Sequence, residues 1–206
     1  MGKIPRKVHF VGIGGVGMSG LAALLLSRGH EVSGSDLKPS DLAEKLKSQG
    51  ATIYKGHRAE NVGAAELVVI SSAIKPDNPE LVAARERGLP VIRRGELLSV
   101  VMQDHLGIAV AGAHGKTTTT AMAGAVLMAG GLDPTILVGG KWPAIGGNFR
   151  AGKSPYFVTE ADESDGSFLL LSPVVAAVTN IENDHLDYYG SFSSLVRAFK
   201  DFLARV

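Results

Sequence analysis

The sequence contains no cysteine among its 206 residues. Disulfide bonds, thiolate nucleophiles and thiolate metal ligands are therefore excluded from any account of its fold or chemistry. A chain without cysteine suits a reducing compartment, and we expect the protein to be cytoplasmic.

Neither sign of charge is in excess. Lysine and arginine number 21 and the acidic residues 20, which gives a formal net charge of +1. This balance argues against a broad basic surface, so we expect no nucleic-acid partner. Any bound anion must be held by a few placed groups. Hydrophobic residues make up 45% of the chain, enough to bury the core of one large domain or two modest ones.

A long apolar run without glycine is also missing. Residues 8–27 (VHFVGIGGVGMSGLAALLLS) carry no fixed charge, as a signal peptide or membrane span would require. Their first half contains Gly12, Gly14, Gly15, Gly17 and Gly20, and each glycine weakens a helix by about 1 kcal/mol relative to alanine. A strand, a glycine turn and a helix explain the segment better, and we expect no membrane partner.

Short apolar runs alternate with helical patterns along the whole chain. We predict strands over residues 7–13, 30–36, 66–74, 89–94, 106–112, 135–140, 156–162 and 174–180, and helices over residues 18–29, 39–50, 78–88, 95–104, 118–131 and 191–206. The alternation predicts an α/β fold with right-handed crossovers and mostly parallel sheets. Two glycine loops, each between a strand and a helix, imply two nucleotide-type domains, residues 1–104 and 105–206.

The first glycine loop, GIGGVG, matches the G-x-G-x-x-G pattern at Gly12, Gly14 and Gly17. Glycine lets the backbone approach a diphosphate, and the amides at the start of the helix supply a positive field. Asp36, at the end of the second predicted strand, lies where an acid that binds a ribose would be expected. The pattern indicates a ligand that carries a diphosphate without identifying it. A tight turn that binds nothing would explain the same residues.

The second glycine loop, GAHGKT, lacks the first glycine of the usual phosphate-binding loop, because Val110 stands at that position. Its mechanics are retained. Amides near Gly115 would face phosphates, Lys116 would reach the β and γ oxygens, and the hydroxyl of Thr117 would ligate Mg²⁺. The alternative is a lysine in a surface turn, which the flanking strand and helix disfavour.

Acidic side chains follow the strand predicted at YFVTEAD, namely Glu160, Asp162, Glu163 and Asp165. In a parallel sheet this strand end should lie on the same edge as Lys116, where one acid could hold Mg²⁺. His185 follows the next strand and should share that edge, so a metal or phosphate role is favoured over a structural one. His114 could contact a phosphate or orient the loop backbone. A solvated acidic loop is the competing interpretation of the four acids.

Six segments in the same order resemble the Mur ligases. They are GIGGVGMSG, SGSD, SSAI with NPE, AGAHGKTTTT, EADESDGSF and TNIENDHLDYYG. The resemblance runs through nearly the whole chain and is far more specific than either glycine loop. It implies a Rossmann-like domain whose ligand is a UDP-sugar rather than NAD, followed by the first part of a P-loop ATPase-type domain.

The reaction that the resemblance implies is ATP-driven amide formation in bacterial peptidoglycan synthesis. DESDGSFLL and DHLDYYG favour the branch that joins L-alanine to the lactyl carboxylate of UDP-N-acetylmuramate through an acyl phosphate. A branch that attaches a preformed tripeptide during cell-wall recycling is the nearest alternative. A dinucleotide-binding protein that is not a ligase is the alternative from another functional class. The folate-modifying relatives are disfavoured because the UDP-type first domain is present.

The resemblance also implies site residues and cofactors. ATP would be bound by Gly112, Ala113, His114, Gly115, Lys116, Thr117 and Thr118, and the UDP-sugar by Gly14, Gly15, Val16, Asp36, His57, Ser71 and Ser72. The catalytic residues would be Lys116, Glu160 and His185. Thr117, Glu160 and His185 would hold Mg²⁺, for which Mn²⁺ would substitute.

The family pattern has a third, C-terminal ligase domain that closes on the amino acid and for which this chain has no counterpart. We therefore expect the chain to bind the UDP-sugar and to be inactive as a ligase by itself. An unfinished sheet in the second domain should also favour self-association.

Overall fold

The computed structural model describes residues 4–38 and 40–206, and within them the chain forms ten β-strands and seven α-helices. The strands are β1 (Lys7–Val11), β2 (Glu31–Asp36), β3 (Thr52–Lys55), β4 (Leu67–Ile70), β5 (Val91–Arg93), β6 (Leu106–Ala111), β7 (Thr135–Trp142), β8 (Gly147–Arg150), β9 (Tyr156–Glu160) and β10 (Val175–Val178). The helices are α1 (Val16–Ser27), α2 (Asp41–Ser48), α3 (Pro79–Glu86), α4 (Arg94–Met102), α5 (Lys116–Ala129), α6 (Leu186–Tyr189) and α7 (Phe192–Leu203).

The chain divides into two compact units, one ending at Leu97 and the other beginning at Leu98. Each unit is built around its own five-stranded sheet. The ligand roles assigned to residues 1–104 and 105–206 remain predictions.

The first unit contains a fully parallel sheet in the order β3-β2-β1-β4-β5. Its central strand β1 is apolar and buried along most of its length because both faces of a parallel sheet are covered. The chain departs to opposite sides of β1, so a topological switch point lies between β1 and β4, where α/β proteins commonly bind ligands. Gly12 follows β1 and Ser71 follows β4 at this point.

The second unit contains a mixed sheet in the order β10-β6-β9-β7-β8. All pairs are parallel except β7 with β8, which form an antiparallel hairpin. The carboxyl ends of β6, β9 and β10 therefore lie along one edge. The second glycine loop follows β6 at the middle of that edge.

The α/β fold predicted from the sequence is confirmed, with three additions. The strands β3 and β8 and the single-turn helix α6 were not predicted. Both strands are four-residue edge strands with little full burial, so they lack the apolar run that marks a central strand. The helix predicted over residues 39–50 is observed as α2, while Pro39 lies outside the described residues.

Some of the exposed apolar side chains of the second unit lie on α5 and beside the edge strand β10. Met122 and Val126 occupy one exposed face of the helix, and Val174 and Val175 are half exposed at the sheet edge. Self-association through such surfaces stays a prediction. Within residues 4–38 and 40–206, no helix has both the length and the apolar character that crossing a membrane would need.

Candidate functional site

The glycine loop of the first unit is fastened to the end of β2. The amides of Gly12 and Ile13 both donate to the carbonyl oxygen of Ser35, at 2.9 and 3.0 Å. Gly12 has a φ of +84°, a conformation that strongly favours glycine. The N-cap of α1 is Gly15, which offers no side-chain acceptor to the first turn of the helix. The loop therefore has the geometry of a helix start that can accept an anion.

Asp36 contacts the loop directly. Its Oδ2 accepts from the amide of Gly14 at 2.9 Å, and its Oδ1 accepts from the amide of Lys38 at 3.2 Å. A Cβ added to Gly14 would lie 2.8 Å from both the Asp36 Oδ2 and the Ser40 Oγ, so this approach requires glycine. The structure thus brings together two residues predicted to bind the UDP-sugar. In the structure the Gly14 amide, which we predicted to face the diphosphate, donates to Asp36.

The other residues predicted for the UDP-sugar lie at the same edge of the sheet. The amide of Ser71 donates to Val11 at the end of β1, and a Cβ on Gly12 would approach the Ser71 Cβ to 3.3 Å. Ser72 is exposed beside it. His57 follows β3, and its Nδ1 lies 2.9 Å from the Ser35 hydroxyl. Val16 begins α1.

The second glycine loop is held by the two residues that follow β10. Asn180 accepts from the amide of His114 at 2.9 Å and donates to the carbonyl of the same residue at 3.0 Å. The hydroxyl of Thr179 donates to that carbonyl at 2.6 Å. A Cβ on Gly112 would overlap the Thr179 hydroxyl, which explains the glycine at this position. His114 therefore has its backbone bound to β10, while its ring lies 3.3 Å from Glu182.

Lys116 is the first residue of α5, after Gly115 in the left-handed conformation. Its Nζ donates to three oxygens: the carbonyl of Gly112 at 2.5 Å, the carbonyl of Ala113 at 3.4 Å and the carboxylate of Glu163 at 2.7 Å. The ammonium thus lies over its own loop, where phosphate oxygens would bind. Thr118 is exposed in the first turn of the same helix.

Glu163 is the residue on which two predicted catalytic groups converge. Its side chain is 2% exposed, and its Oε1 lies 4.0 Å from the Nε2 of His185 in addition to its contact with Lys116. The other oxygen, Oε2, is buried without a hydrogen-bond partner among the described residues. An unpartnered buried carboxylate oxygen is costly, so a donor or a cation bound at this point would satisfy it.

Tyr189, in α6, contacts the backbone of the same residue. Its hydroxyl donates to the backbone carbonyl of Glu163 at 2.6 Å. Burial raises the pKa of the Tyr189 phenol, and Tyr188 with the nearby carboxylates of Glu163, Asp165 and Asp162 raises it further. The phenol is therefore a persistent hydrogen-bond donor.

Glu160 and Thr117 lie against two consecutive glycines of β7. The Oε1 of Glu160 accepts from the amide of Gly139 at 2.5 Å, and a Cβ on Gly139 would lie 2.8 Å from the Glu160 carboxyl carbon. A Cβ on Gly140 would approach the Thr117 methyl to 3.2 Å. The Glu160 carboxylate thus excludes a side chain at Gly139, and the Thr117 methyl restricts one at Gly140. Glu160 and Thr117 carry a carboxylate and a hydroxyl, which are the ligand types that Mg²⁺ prefers.

His185 has an unusual backbone. Among the described residues it is the one non-glycine residue with positive φ, at 56°. Its amide donates to the Asp184 carboxylate at 2.8 Å, and its ring Nε2 lies 3.8 Å from the same carboxylate. A histidine held in this sparsely populated region is typical of a functional position.

The remaining acids of the predicted cluster belong to the turn that follows β9. Asp162 accepts from the amide and hydroxyl of Ser164 at 3.1 and 2.7 Å, and Asp165 accepts from the amide of Ser167 at 3.0 Å. Across residues 4–38 and 40–206, no three His, Asp or Glu side chains form a group that could hold a metal unaided. A metal here would also need hydroxyl and phosphate oxygens.

Sequence reasoning missed three features of this edge. It did not select Glu163 as the partner of Lys116, it did not assign Thr179 and Asn180 to the loop backbone, and it gave no role to Gly139 and Gly140. The pairing of Lys116 with Glu163 joins residues 47 positions apart, so only the topology reveals it.

Comparison with protein families matches both units. Residues 7–106 match the model described as "Mur ligase family, catalytic domain", and residues 110–206 match the "Mur ligase middle domain". A crystal structure titled as the UDP-N-acetylmuramate:L-alanyl-gamma-D-glutamyl-meso-diaminopimelate ligase of Neisseria meningitides is similar at 33% identity with a TM-score of 0.90. That similarity covers 98% of this chain and 69% of that one. The chain belongs to the Mur ligase family.

Other Mur ligases are similar over the same region. The UDP-N-acetylmuramate--L-alanine ligase of Pelotomaculum thermopropionicum is 58% identical over 98% of this chain and 44% of its own length. That of Myxococcus xanthus is 56% identical over 97% of this chain and 42% of its own length. The crystal structure of the Thermotoga maritima UDP-N-acetylmuramate-alanine ligase superposes with a TM-score of 0.91 at 36% identity, covering 97% of this chain and 47% of that one. This Mur ligase chain thus spans less than half the length of these three relatives.

Proposed function

We propose that the chain carries the UDP-sugar-binding and ATP-binding parts of an enzyme that joins L-alanine to UDP-N-acetylmuramate. The observation that supports this most is the convergence of Lys116 and His185 on the carboxylate of Glu163, at the edge where β6, β9 and β10 end. Relatives named for this reaction are 53–58% identical over nearly all of the chain, which favours alanine over a tripeptide as the acceptor. Because the reaction consumes ATP, we propose that it takes place in the bacterial cytoplasm.

The proposed reaction has two steps. The lactyl carboxylate of UDP-N-acetylmuramate attacks the γ-phosphorus of ATP, which forms an acyl phosphate and releases ADP. The amine of L-alanine then attacks the acyl carbon, which forms the amide and expels phosphate. In the first step charge accumulates on the transferring phosphoryl group, and positioning with electrostatic stabilisation supplies most of the catalysis.

Lys116 has the geometry for this stabilisation. Its ammonium lies over the loop amides and can exchange the Gly112 carbonyl for a phosphate oxygen while Glu163 keeps it oriented. Amides near Gly115, at the start of α5, point positive charge toward the same region. Glu160, Thr117 and His185 would hold Mg²⁺, since Glu160 and Thr117 offer a carboxylate and a hydroxyl, the oxygen ligands that Mg²⁺ prefers. Bound Mg²⁺ would neutralise the phosphate oxygens and bring them to the attacking carboxylate.

Calorimetry on the 206-residue chain tests the assignment of ligands. We expect UDP-N-acetylmuramate to bind and NADH not to bind, and the reverse result would favour a dinucleotide-binding protein that is not a ligase. The Lys116→Ala variant should lose at least about tenfold in affinity for MgATP and keep its affinity for UDP-N-acetylmuramate. Lys200→Ala, which removes an exposed ammonium from α7 of the same unit, is the matched control.

Turnover is tested separately by phosphate release with ATP, UDP-N-acetylmuramate and L-alanine. We expect none from these 206 residues by themselves, because they span less than half the length of the relatives named for this reaction. Turnover by the 206-residue chain would contradict that expectation.

A further inference from the structure

A carboxylate buried beneath the first glycine loop has no role in the proposed reaction. Glu80 belongs to the NPE segment and is the second residue of α3, after the N-cap Asn78. Its side chain is fully buried. The Asn78 Oδ1 accepts from the Glu80 amide at 2.9 Å, so the backbone of the helix start is already capped. The carboxylate is therefore available for groups outside its own helix.

Those groups come from three other parts of the first unit. The Glu80 Oε2 accepts from the Ser35 hydroxyl at 2.5 Å. Its Oε1 accepts from the Asn61 side-chain amide at 2.5 Å and from the Arg58 backbone amide at 3.3 Å. The imidazoles of His57 and His9 lie 3.3 and 3.5 Å from Oε2. Glu80 thus joins β1, β2 and the segment after β3.

The carboxylate is ionised at neutral pH. Burial by itself raises the pKa of Glu80, but the contacts with His9, Ser35 and Asn61 outweigh burial and lower this pKa to about 2. The titratable groups that face this carboxylate are the two imidazoles, His9 from β1 and His57 after β3. Ser35 and Asn61 are polar but uncharged. The carboxylate is therefore an acceptor for the polar groups around it.

The hydrogen bonds also determine which nitrogen of His57 carries a proton. The Ser35 hydroxyl has one hydrogen, and an ionised Glu80 can only accept, so this hydrogen points to Glu80. The Ser35 oxygen must then accept from the His57 Nδ1 at 2.9 Å. His57 is therefore protonated at Nδ1 even when neutral. Its Nε2, which has no hydrogen-bond partner among the described residues, gains a proton only when the ring becomes cationic.

We infer that Glu80 is a positioning residue that holds His57 with Nδ1 inward, so that His57 binds the anionic part of the ligand only as an imidazolium. This inference rests on the proposed function, because it takes the diphosphate of a UDP-sugar as the anion. Its consequence is that binding at neutral pH takes up a proton. Ser35 connects the first glycine loop with these two side chains, because its carbonyl accepts from the loop amides and its hydroxyl lies between Glu80 and His57.

The tautomer is tested first, without any ligand. Nitrogen-15 long-range NMR correlations on the wild-type chain should show His57 protonated at Nδ1 in its neutral form. A neutral ring protonated at Nε2 would overturn the inference, whatever the chain binds.

Proton uptake is tested by calorimetric titration with UDP and with UDP-N-acetylmuramate in buffers of different ionisation enthalpy. We expect wild type to take up a proton on binding at neutral pH and to bind less tightly as pH rises. His57→Gln should abolish the uptake. Wild-type binding with no uptake would overturn the inference and leave the proposed function intact. No binding of either ligand would overturn the proposed function and the anion role of His57 with it.

Glu80→Gln tests the role of the charge. We expect it to weaken UDP binding by about tenfold or more at pH 7 and to remove most of the proton uptake. Glu60→Gln, which removes one exposed carboxylate from the same unit, should bind as wild type does. Equal affinity and equal uptake in a folded Glu80→Gln variant would contradict the inference. If that variant does not fold, the tautomer and His57→Gln measurements still decide the question.

Discussion

The ammonium of Lys116 and the carboxylate of Glu163 form an ion pair with a 2.7 Å separation, and the Glu163 side chain is 2% exposed. The negative charge of Glu163 is therefore compensated by a residue of the second glycine loop. Removal of either partner leaves a charge in a site that water reaches poorly, which costs more than the pair itself contributes.

A double-mutant cycle measures this pair. Lys116→Met and Glu163→Gln should each lower the free energy of unfolding of the second unit by about 2–4 kcal/mol. The loss in the double variant should be smaller than the sum of the two single losses by about 1–3 kcal/mol. Trp142, the one tryptophan of the sequence, lies in β7 and reports unfolding of the second unit by fluorescence during urea titration. Additive losses would show that the two side chains do not interact in solution.

Gly139 is predicted to matter because of what lies over it. In Gly139→Ala the new Cβ would meet the Glu160 carboxylate, with Oε1 at 2.9 Å and Cδ at 2.8 Å, so Glu160 must move. We expect the Mg²⁺-dependent part of ATP binding to fall by about tenfold while UDP-N-acetylmuramate binding is retained. Calorimetry with and without Mg²⁺ separates the two contributions.

The matched control for this substitution is Gly130→Ala, at the end of α5. There the Cβ would meet only the carbonyls of Val126 and Leu127, at 3.4 and 3.5 Å. This variant should bind ATP as wild type does. An unchanged Mg²⁺ dependence in Gly139→Ala would exclude Glu160 as a ligand.

Glu80 should make the first unit sensitive to acid. The pKa of Glu80 is lowered from 4.5 to about 2 in the folded chain. The contribution of its charge to the free energy of unfolding is therefore complete above about pH 4.5 and is lost as pH falls through about 2. A shift of this size corresponds to about 3 kcal/mol. The difference in unfolding free energy between wild type and Glu80→Gln should therefore be constant near neutrality and shrink between pH 4.5 and pH 2. Amide hydrogen exchange in β1 and β2 measures it, and a difference independent of pH would assign the loss to packing instead.

Tyr189 should resist ionisation. Burial, Tyr188 and the surrounding carboxylates raise its pKa, so its phenol should stay protonated at pH values near 10, where a free tyrosine ionises. Ultraviolet absorbance during alkaline titration follows the four tyrosines of the chain, and Tyr189→Phe should remove the late-titrating one. The substitution should also cost about 1 kcal/mol through loss of the hydrogen bond to Glu163. Loss of an early-titrating phenol instead would place Tyr189 in contact with solvent.

The sequence predicted the central parts of both units and failed at their edges. Buried strands such as β1 and β6 can be predicted from a mostly apolar run followed by glycine, because both faces of these strands are covered. The edge strands β3 and β8 carry mixed side chains, since only part of each is packed, and pattern alone does not separate them from loops. Helix α6 is a single turn and has no periodicity to detect.

The candidate site divides in the same way. The glycine-lysine-threonine motif selected Lys116 and Thr117 as candidates, and the topology of parallel sheets predicted that His185 would share their edge. The choice between Glu160 and Glu163 as the partner of Lys116 could not be made from the sequence. Glu160 is the last residue of β9 and Glu163 follows that strand, and which carboxylate is buried depends on contacts with distant segments.

The attachment of the second glycine loop to Thr179 and Asn180 couples the position of this loop to that of His185. These two residues begin the same connection that carries His185, so the loop and the histidine share one support. A nucleotide that pulled the loop inward would drag the histidine with it. We therefore expect the second glycine loop and His185 to move together if a nucleotide binds between them.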